Sequence, residues 1–512
     1  MVLFFTNCQK ILHPEDISIG KIQNYNQLVS ATNGLYGALA NAISDNNFYT
    51  PNLKGDDLTA GNSGNSDYDS YYIQNANCFH ATNYSFYSAS YNWASFYSAI
   101  VSANNILKQY NLALLKDKLT KQALGEIYLI RAYCYFRLTR VYGQIPIIKN
   151  IDISYTSTKA TYTEMYSFIE NDLKLAMGLL PVNNSSARIP YITVHRGTAK
   201  AILAELYLNW GGYPIKDISK YGLAAKEAGE SIDSASYFGF GLLNDFANVW
   251  DSSHIMNSES VFSVYFAKLA NLSINVSVSH IPYSGLNCLG LLQTSANSPN
   301  MALFYFTSEV NFFNNYPPGY RKEITFFKTI YVPNNGGGTK TGYLHIDKVS
   351  TCNRIEYRKF YYQCNEDKNA STTNVCWLEG IPRVYIFRFA QTMLTYAEGI
   401  ARSGQPDAKA YDCINQIRRR AHQLDLNSPS AFDLSPGLSP SAFADSVVQE
   451  RACELSGEPE GRWFDLVRLE MVEDLPKIRN PKEGGPPSVF DKSVYFSPIP
   501  ATDTILNPNM EK

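Results

Sequence analysis

The chain has 512 residues, and its 44 Lys and Arg stand against 46 Asp and Glu for a formal charge of -2. So even a balance excludes nucleic-acid binding that works by neutralising phosphates, while the length is ample for a buried core. Charged residues make up only 18% and aromatics 13%, so part of the ring content is expected on a wet binding face, where an amphipathic ring suits both sides.

In chain order, MVLFFTN before Cys8 is too short to be a complete signal peptide or to cross a bilayer, and no later apolar run spans one. Residues 1–20 are read as a lead and linker, and 21–512 as one domain. Helices are predicted near 25–44 and 91–110. Between 119 and 141, Leu119, Ala123, Ile127, Ile130, Cys134, Leu138 and Val141 step by three and four and paint one helical face, which Gly143 and Pro146 end. A partner helix follows at 162–180, where Tyr162, Met165, Ile169, Leu173, Ala176 and Leu180 form a stripe ahead of Pro181.

The same layout returns at 197–232, where AKAILAELYL breaks at GGYP before an alanine-rich helix. It returns once more where AQTMLTYAEGIAR turns at SGQPD into AKAYDCINQIRRRA. The small alanines predict close helix approach, and four antiparallel pairs are expected in all. They are similar to tetratricopeptide stacking without its clean period of about 34 residues. Two stretches lack helical pattern. Residues 46–90 are rich in Asn, Ser, Tyr, Gly and Asp, and residues 236–380 include a GGG; long aromatic loops of this kind are predicted to carry function.

Nine cysteines are too sparse for a disulfide-built domain. Those at 352, 364 and 376 have poor zinc spacing, so no metal and no cofactor is expected. Residues 450–470 read ERACELSGEPEGRWFDLVRLE. Glu450, Arg451 and Glu454 are placed beside an apolar stripe rather than on one point. Arg462 with Asp465, and Asp465 with Arg468, stand three apart, where opposite charges on a helix meet. A carboxylate held by arginine makes a poor general acid at neutral pH, so the stretch is read as a helix junction fixed by ion pairs. Trp93, Trp463 and Trp250 are assigned to packing.

This stretch resembles the C-terminal signature of the SusD/RagB family of nutrient-collecting outer-membrane lipoproteins, in which ER..EL and a glycine precede RW.DL.R. NWASFYSAIVSANNIL, LIRAYCYFRLTRVYGQIPII, YTEMYSFIENDLKLAMGLLP, LTYAEGIARSGQ with AYDCINQIRRRA, and YFSPIPATDTILNPNM agree in order. The resemblance implies a mainly α, SusD-like fold in which four TPR-like helix pairs support a loop-rich, irregular ligand-binding portion. It also implies a lipid on Cys8, facing the cell exterior, and a lid-like association with a SusC-like TonB-dependent transporter. Binding aromatics are then expected in 53–84 and 280–380, which gives as candidate ligand contacts Asp57, Tyr68, Tyr71, Tyr72, Tyr283, Tyr305, Tyr316, Tyr320 and Trp377.

A glycan fits that set, since rings stack on the C–H face of a sugar while Asp, Asn or Arg exchange hydrogen bonds with its hydroxyls. A peptide cargo and a pure protein-binding scaffold are the alternatives. An enzyme would need Asp56 with Asp57, or Glu458 with Glu460, as a glycosidase pair, yet adjacent residues point apart in extended chain and no nucleophile, zinc or phosphate-loop motif occurs.

Overall fold

The computed structural model describes residues 21–44, 48–60, 86–110, 117–149, 156–265, 306–326, 329–332, 342–345, 355, 357–360, 383–480 and 491–510. Ten helices organise them: α1 (Tyr25–Ser44), α2 (Phe86–Gln109), α3 (Lys118–Tyr142), α4 (Tyr162–Leu179), α5 (Arg196–Gly211), α6 (Ser219–Asp233), α7 (Phe389–Ser403), α8 (Ala408–Ala421), α9 (Pro440–Glu454) and α10 (Arg462–Arg468). Their ends are set locally. Asp117 caps α3 by accepting from the Thr120 amide at 2.7 Å, Thr161 and Glu164 close a reciprocal capping box on α4, and Asp407 caps α8 through the Ala410 amide at 2.7 Å. Gly143 stops α3 with φ 77°, a left-handed setting that costs glycine nothing.

The pairs expected from periodicity form and stack in order. α1 packs on α2, α3 on α4, α5 on α6 and α7 on α8, and successive pairs are joined through α2 with α3, α4 with α5, and α6 with α7. Ile127, Ile130, Leu138, Ile169, Leu173, Ile202, Leu206, Leu394 and Ile414 meet in one continuous apolar core. Leu119 departs from its expected place: it lies in the first turn of α3 and is half exposed. The helices α6 and α7 approach closely. A Cβ on Gly399 would stand 2.9 Å from the Ala225 backbone nitrogen, so only glycine lets the two helices meet there.

After α6 the chain leaves the stack and rejoins it at α7. This excursion and the α1–α2 connection hold three antiparallel two-stranded sheets: β1 (Leu58–Ala60) with β3 (Phe306–Ser308), β2 (Ser260–Tyr265) with β6 (Arg383–Arg388), and β4 (Thr329–Val332) with β5 (Gly342–His345). The 236–380 region therefore contains short helices where periodicity showed little helical pattern, and the strand-like stretch ESVFSVYF forms β2. Among the described residues, no helix is long and apolar enough to cross a membrane.

Candidate functional site

The strands draw the irregular segments to a common base. Ala60, the last residue of β1, pairs with Phe306, the first of β3, and Tyr265 at the end of β2 pairs with Arg383 at the start of β6. Ser308 bridges to Ile355 and Phe326 to Tyr357. Trp250 joins the two halves, its ring 5.3 Å from that of Phe360 and 5.6 Å from that of Tyr385. The chain ends that lead into 61–85, 266–305 and 361–382 thus rise from one platform.

Buried charge fastens this platform to the helical stack. Arg462 donates twice to Asp56, at 2.7 and 2.8 Å, and Asn52 donates to the carbonyls of Glu458 and Pro459. Asp57 accepts from the Gly457 amide at 2.8 Å through one carboxylate oxygen, and its backbone carbonyl accepts from Tyr357 at 2.9 Å. Gly457 has φ 72°, and a Cβ there would lie 3.1 Å from the Tyr357 and Phe360 rings, so the turn after α9 needs glycine twice over. Lys359 reaches Glu458 at 2.8 Å.

Arg388 is the hub. It contacts Glu458 through two bonds of 2.8 Å, and Glu259 and Glu454 at 2.9 Å each. Arg420 holds Glu454 at 2.8 Å and also pairs with Glu259, and Arg321 bonds to Glu450 at 2.6 Å and Glu454 at 3.0 Å. A second cluster ties α5, α7, α9 and α10, as Arg451 bonds to Glu205 and Asp465 while Arg468 bonds to Glu398 and Asp465. Burial pulls the Glu454 carboxyl upward, but Arg420, Arg388 and Arg321 outweigh it and hold the group well below the usual carboxylate range. Glu458 is lowered in the same way, against its burial, by Arg388 and Lys359.

Junction, rather than active site, is thus the right reading of the charged signature, with two corrections. Glu450, Arg451 and Glu454 do not ride beside the stripe; they are buried, the two glutamates pairing with arginines and Arg451 with carboxylates from other segments. Arg462 bonds to Asp56 rather than Asp465, because the Asp56 loop lies against the N-terminus of α10. The carboxylates weighed as glycosidase pairs are all interior. Glu460 is taken up by Tyr133, Arg137 and Arg140.

Two candidate ligand residues are also corrected. Asp57 is 1% exposed, drawn inward by the pairing of β1 with β3. Tyr316 is 3% exposed, its hydroxyl donates to the Cys453 carbonyl at 2.9 Å, and its ring lies 5.2 Å from that of Phe326. Tyr320 is half-buried at the start of a short helix and donates to the Asp245 carboxylate, which keeps part of its ring at the surface. Tyr68, Tyr71, Tyr72, Tyr283, Tyr305 and Trp377 lie outside the described residues, as do Cys8 and the cysteines at 352, 364 and 376. Trp93, Trp250 and Trp463 are packed as expected. Tyr357 and Lys359, which complete the platform, carry no sequence signal that separates them from the loop around them. Among the described residues, no group of His, Cys, Asp and Glu could hold a metal ion.

Burial raises the Asp57 carboxyl to about 7, against a smaller opposing effect of the Gly457 amide. Between its usual value near 4 and about 7 the folded chain binds this proton and the unfolded chain does not. The stability it contributes therefore grows as pH falls through that window and is lowest above it. Asp57→Asn is expected to abolish this component, so that the variant gains on the parent at pH 8 relative to pH 5 in urea titrations; equal differences at both pH values would contradict the assignment.

The helical stack with a loop platform defines a scaffold for binding, and comparison with known proteins gives its family. Residues 16–208 match a SusD-like model described as starch-binding and associating with the outer membrane, and residues 307–512 match the SusD family model. The chain belongs to the SusD/RagB family. It is 25% identical over 435 residues to SusD-like protein P2 of Formosa agariphila, covering 82% of this chain and 78% of that one. A SusD homolog from Bacteroides thetaiotaomicron superposes with a TM-score of 0.74 at 22% identity over 98% of both chains. Surface glycan-binding protein A from Bacteroides fluxus does so with a TM-score of 0.68 at 21% identity, over 94% of this chain and 97% of that one.

Proposed function

We propose that the chain is a non-catalytic glycan-capture protein of the cell surface, tethered by a lipid on Cys8, that presents oligo- or polysaccharide to a SusC-like TonB-dependent transporter in the outer membrane. The observation that carries this reading is the shared base of the irregular segments: each stretch holding Tyr68, Tyr71, Tyr72, Tyr283, Tyr305 and Trp377 has at least one end at a paired strand, 61–85 at β1, 266–305 at β2 and β3, and 361–382 at β6. Rings borne by separate segments can then line one surface. A structural neighbour whose name states surface glycan binding supports the choice of cargo.

Each ring stacked on a sugar removes on the order of 100 Å² of apolar surface from water, so two rings offer roughly 5 kcal/mol before association costs. Such capture is weak, in the millimolar to tens of micromolar range, and weak capture suits cargo that must be handed on. The lid itself would bury well over about 2,000 Å² on the barrel, as permanent complexes do. The test is a parallel screen of the chain without its first eight residues on a glycan array and a peptide library, with product analysis after incubation with polysaccharides. Glycan hits with no shortened products are expected. Selective peptide hits would move the cargo to peptides, and accumulating shorter sugars would make the protein an enzyme.

A further inference from the structure

Inside the platform, a cavity of about 10 Å³ is lined by Trp250, Phe360, Arg383, Val384 and Glu458, among others. A single water molecule needs roughly 10–15 Å³, so the cavity admits one and nothing larger. Its position is particular, because Phe360 and Arg383 are the described residues on either side of 361–382, the segment holding Trp377, while Glu458 belongs to the charged junction.

Two hydrogen-bond donors at this cavity have no partner among the described residues. Trp250 is 7% exposed and its indole Nε1 is buried without an acceptor; Arg383 is 3% exposed, and its Nε is in the same condition. The other Arg383 nitrogens are already used, since Nη2 donates to the Val249 carbonyl at 2.6 Å and Nη1 to that of Ile255. Leaving a buried donor unpaired lowers a folding equilibrium constant by roughly 5- to 150-fold. The cavity therefore favours an occupant that accepts hydrogen bonds.

The walls narrow the choice to one species. Both unpaired atoms are N–H donors, which excludes a metal ion or an ammonium group, since neither accepts a hydrogen bond. An anion would accept, but Glu458 lines the same cavity, and its carboxyl stays ionised despite burial because Arg388 and Lys359 lower it. A halide is also larger than water. We propose that a single structural water molecule occupies this cavity, accepting from Trp250 Nε1 and Arg383 Nε and donating to the Glu458 carboxylate. It links the start of β6, and the indole on which Phe360 packs, to the charged junction. The site is independent of the glycan reading and would stand if no sugar bound.

A crystal structure of the folded chain, with a second crystal soaked in bromide, tests the assignment. Density for one water within hydrogen-bond distance of Trp250 Nε1 and Arg383 Nε is expected, with no anomalous bromide peak there. Val384→Ile adds one carbon to the cavity wall. It should displace the water and reduce by one the long-lived internal waters counted by magnetic relaxation dispersion of the water oxygen. It should also lower the folding equilibrium constant roughly tenfold in urea titrations, because both donors are then left unpaired. The proposal is overturned if the cavity is dry in the parent crystal, if bromide enters it, or if Val384→Ile is as stable as the parent or more so. It is equally overturned if Val384→Ile loses stability with its water count unchanged, which is overpacking alone.

Discussion

Replacing Arg388 by methionine is expected to cost about 3–5 kcal/mol of folding stability, enough to leave little folded protein at 37 °C, because breaking a buried pair from one side leaves uncompensated charge. Arg388 and Glu454 are both fully buried, and Glu259, Glu454 and Glu458 all accept hydrogen bonds from this one guanidinium. Arg420, Arg321 and Lys359 remain to compensate part of the loss, which keeps the figure within that range. The exposed Lys174–Glu170 pair is the control, since Lys174→Ala should change stability by no more than about 0.5 kcal/mol. Chemical denaturation monitored by tryptophan fluorescence measures both. A midpoint unchanged in Arg388→Met would show that the network contributes geometry without stability.

Arg462→Met is the second large effect, and it should separate fastening from folding. The lost bond pair is bidentate and buried, so a cost of about 3–5 kcal/mol is again expected, but here it falls on the attachment of residues 48–60 to α10. Arg479 still holds that loop through the carbonyls of Leu53 and Leu58, so the helical stack should survive. Limited proteolysis should then cut near residues 48–60 in Arg462→Met before it cuts the helices, and polysaccharide retention should fall. Arg462→Lys is expected to be intermediate, because an ammonium cannot reproduce the two parallel bonds. Cleavage at the same sites and rate as in the parent would contradict the fastening role.

These two residues also show what was legible in the sequence. Helix α8 coincides with the segment AKAYDCINQIRRRA because its determinants are local: a capping Asp407, a periodic apolar face and small residues at the contact. The charged signature was legible as a junction, but its partners were not. Spacing along a helix relates residues three and four apart, whereas Glu454 meets Arg388 across 66 residues of chain and Arg462 meets Asp56 across 406. Asp57 and Tyr316 misled for a related reason. A polar residue in a stretch rich in Asn, Ser and Gly looks like surface, and only the pairing of β1 with β3 and the ring cluster around Phe326 take these two inside. Where the two irregular stretches are described, their arrangement comes from that long-range pairing, which periodicity does not encode.

The measurement that bears most directly on glycan capture by loop-borne rings is electrophoresis of the folded chain through native gels containing soluble polysaccharides. The parent should be retarded by at least one of them. A variant carrying alanine at Tyr68, Tyr71, Tyr72, Tyr283, Tyr305 and Trp377 should migrate as it does in a plain gel, with its thermal unfolding unchanged. Equal retardation of the variant and the parent would contradict the account.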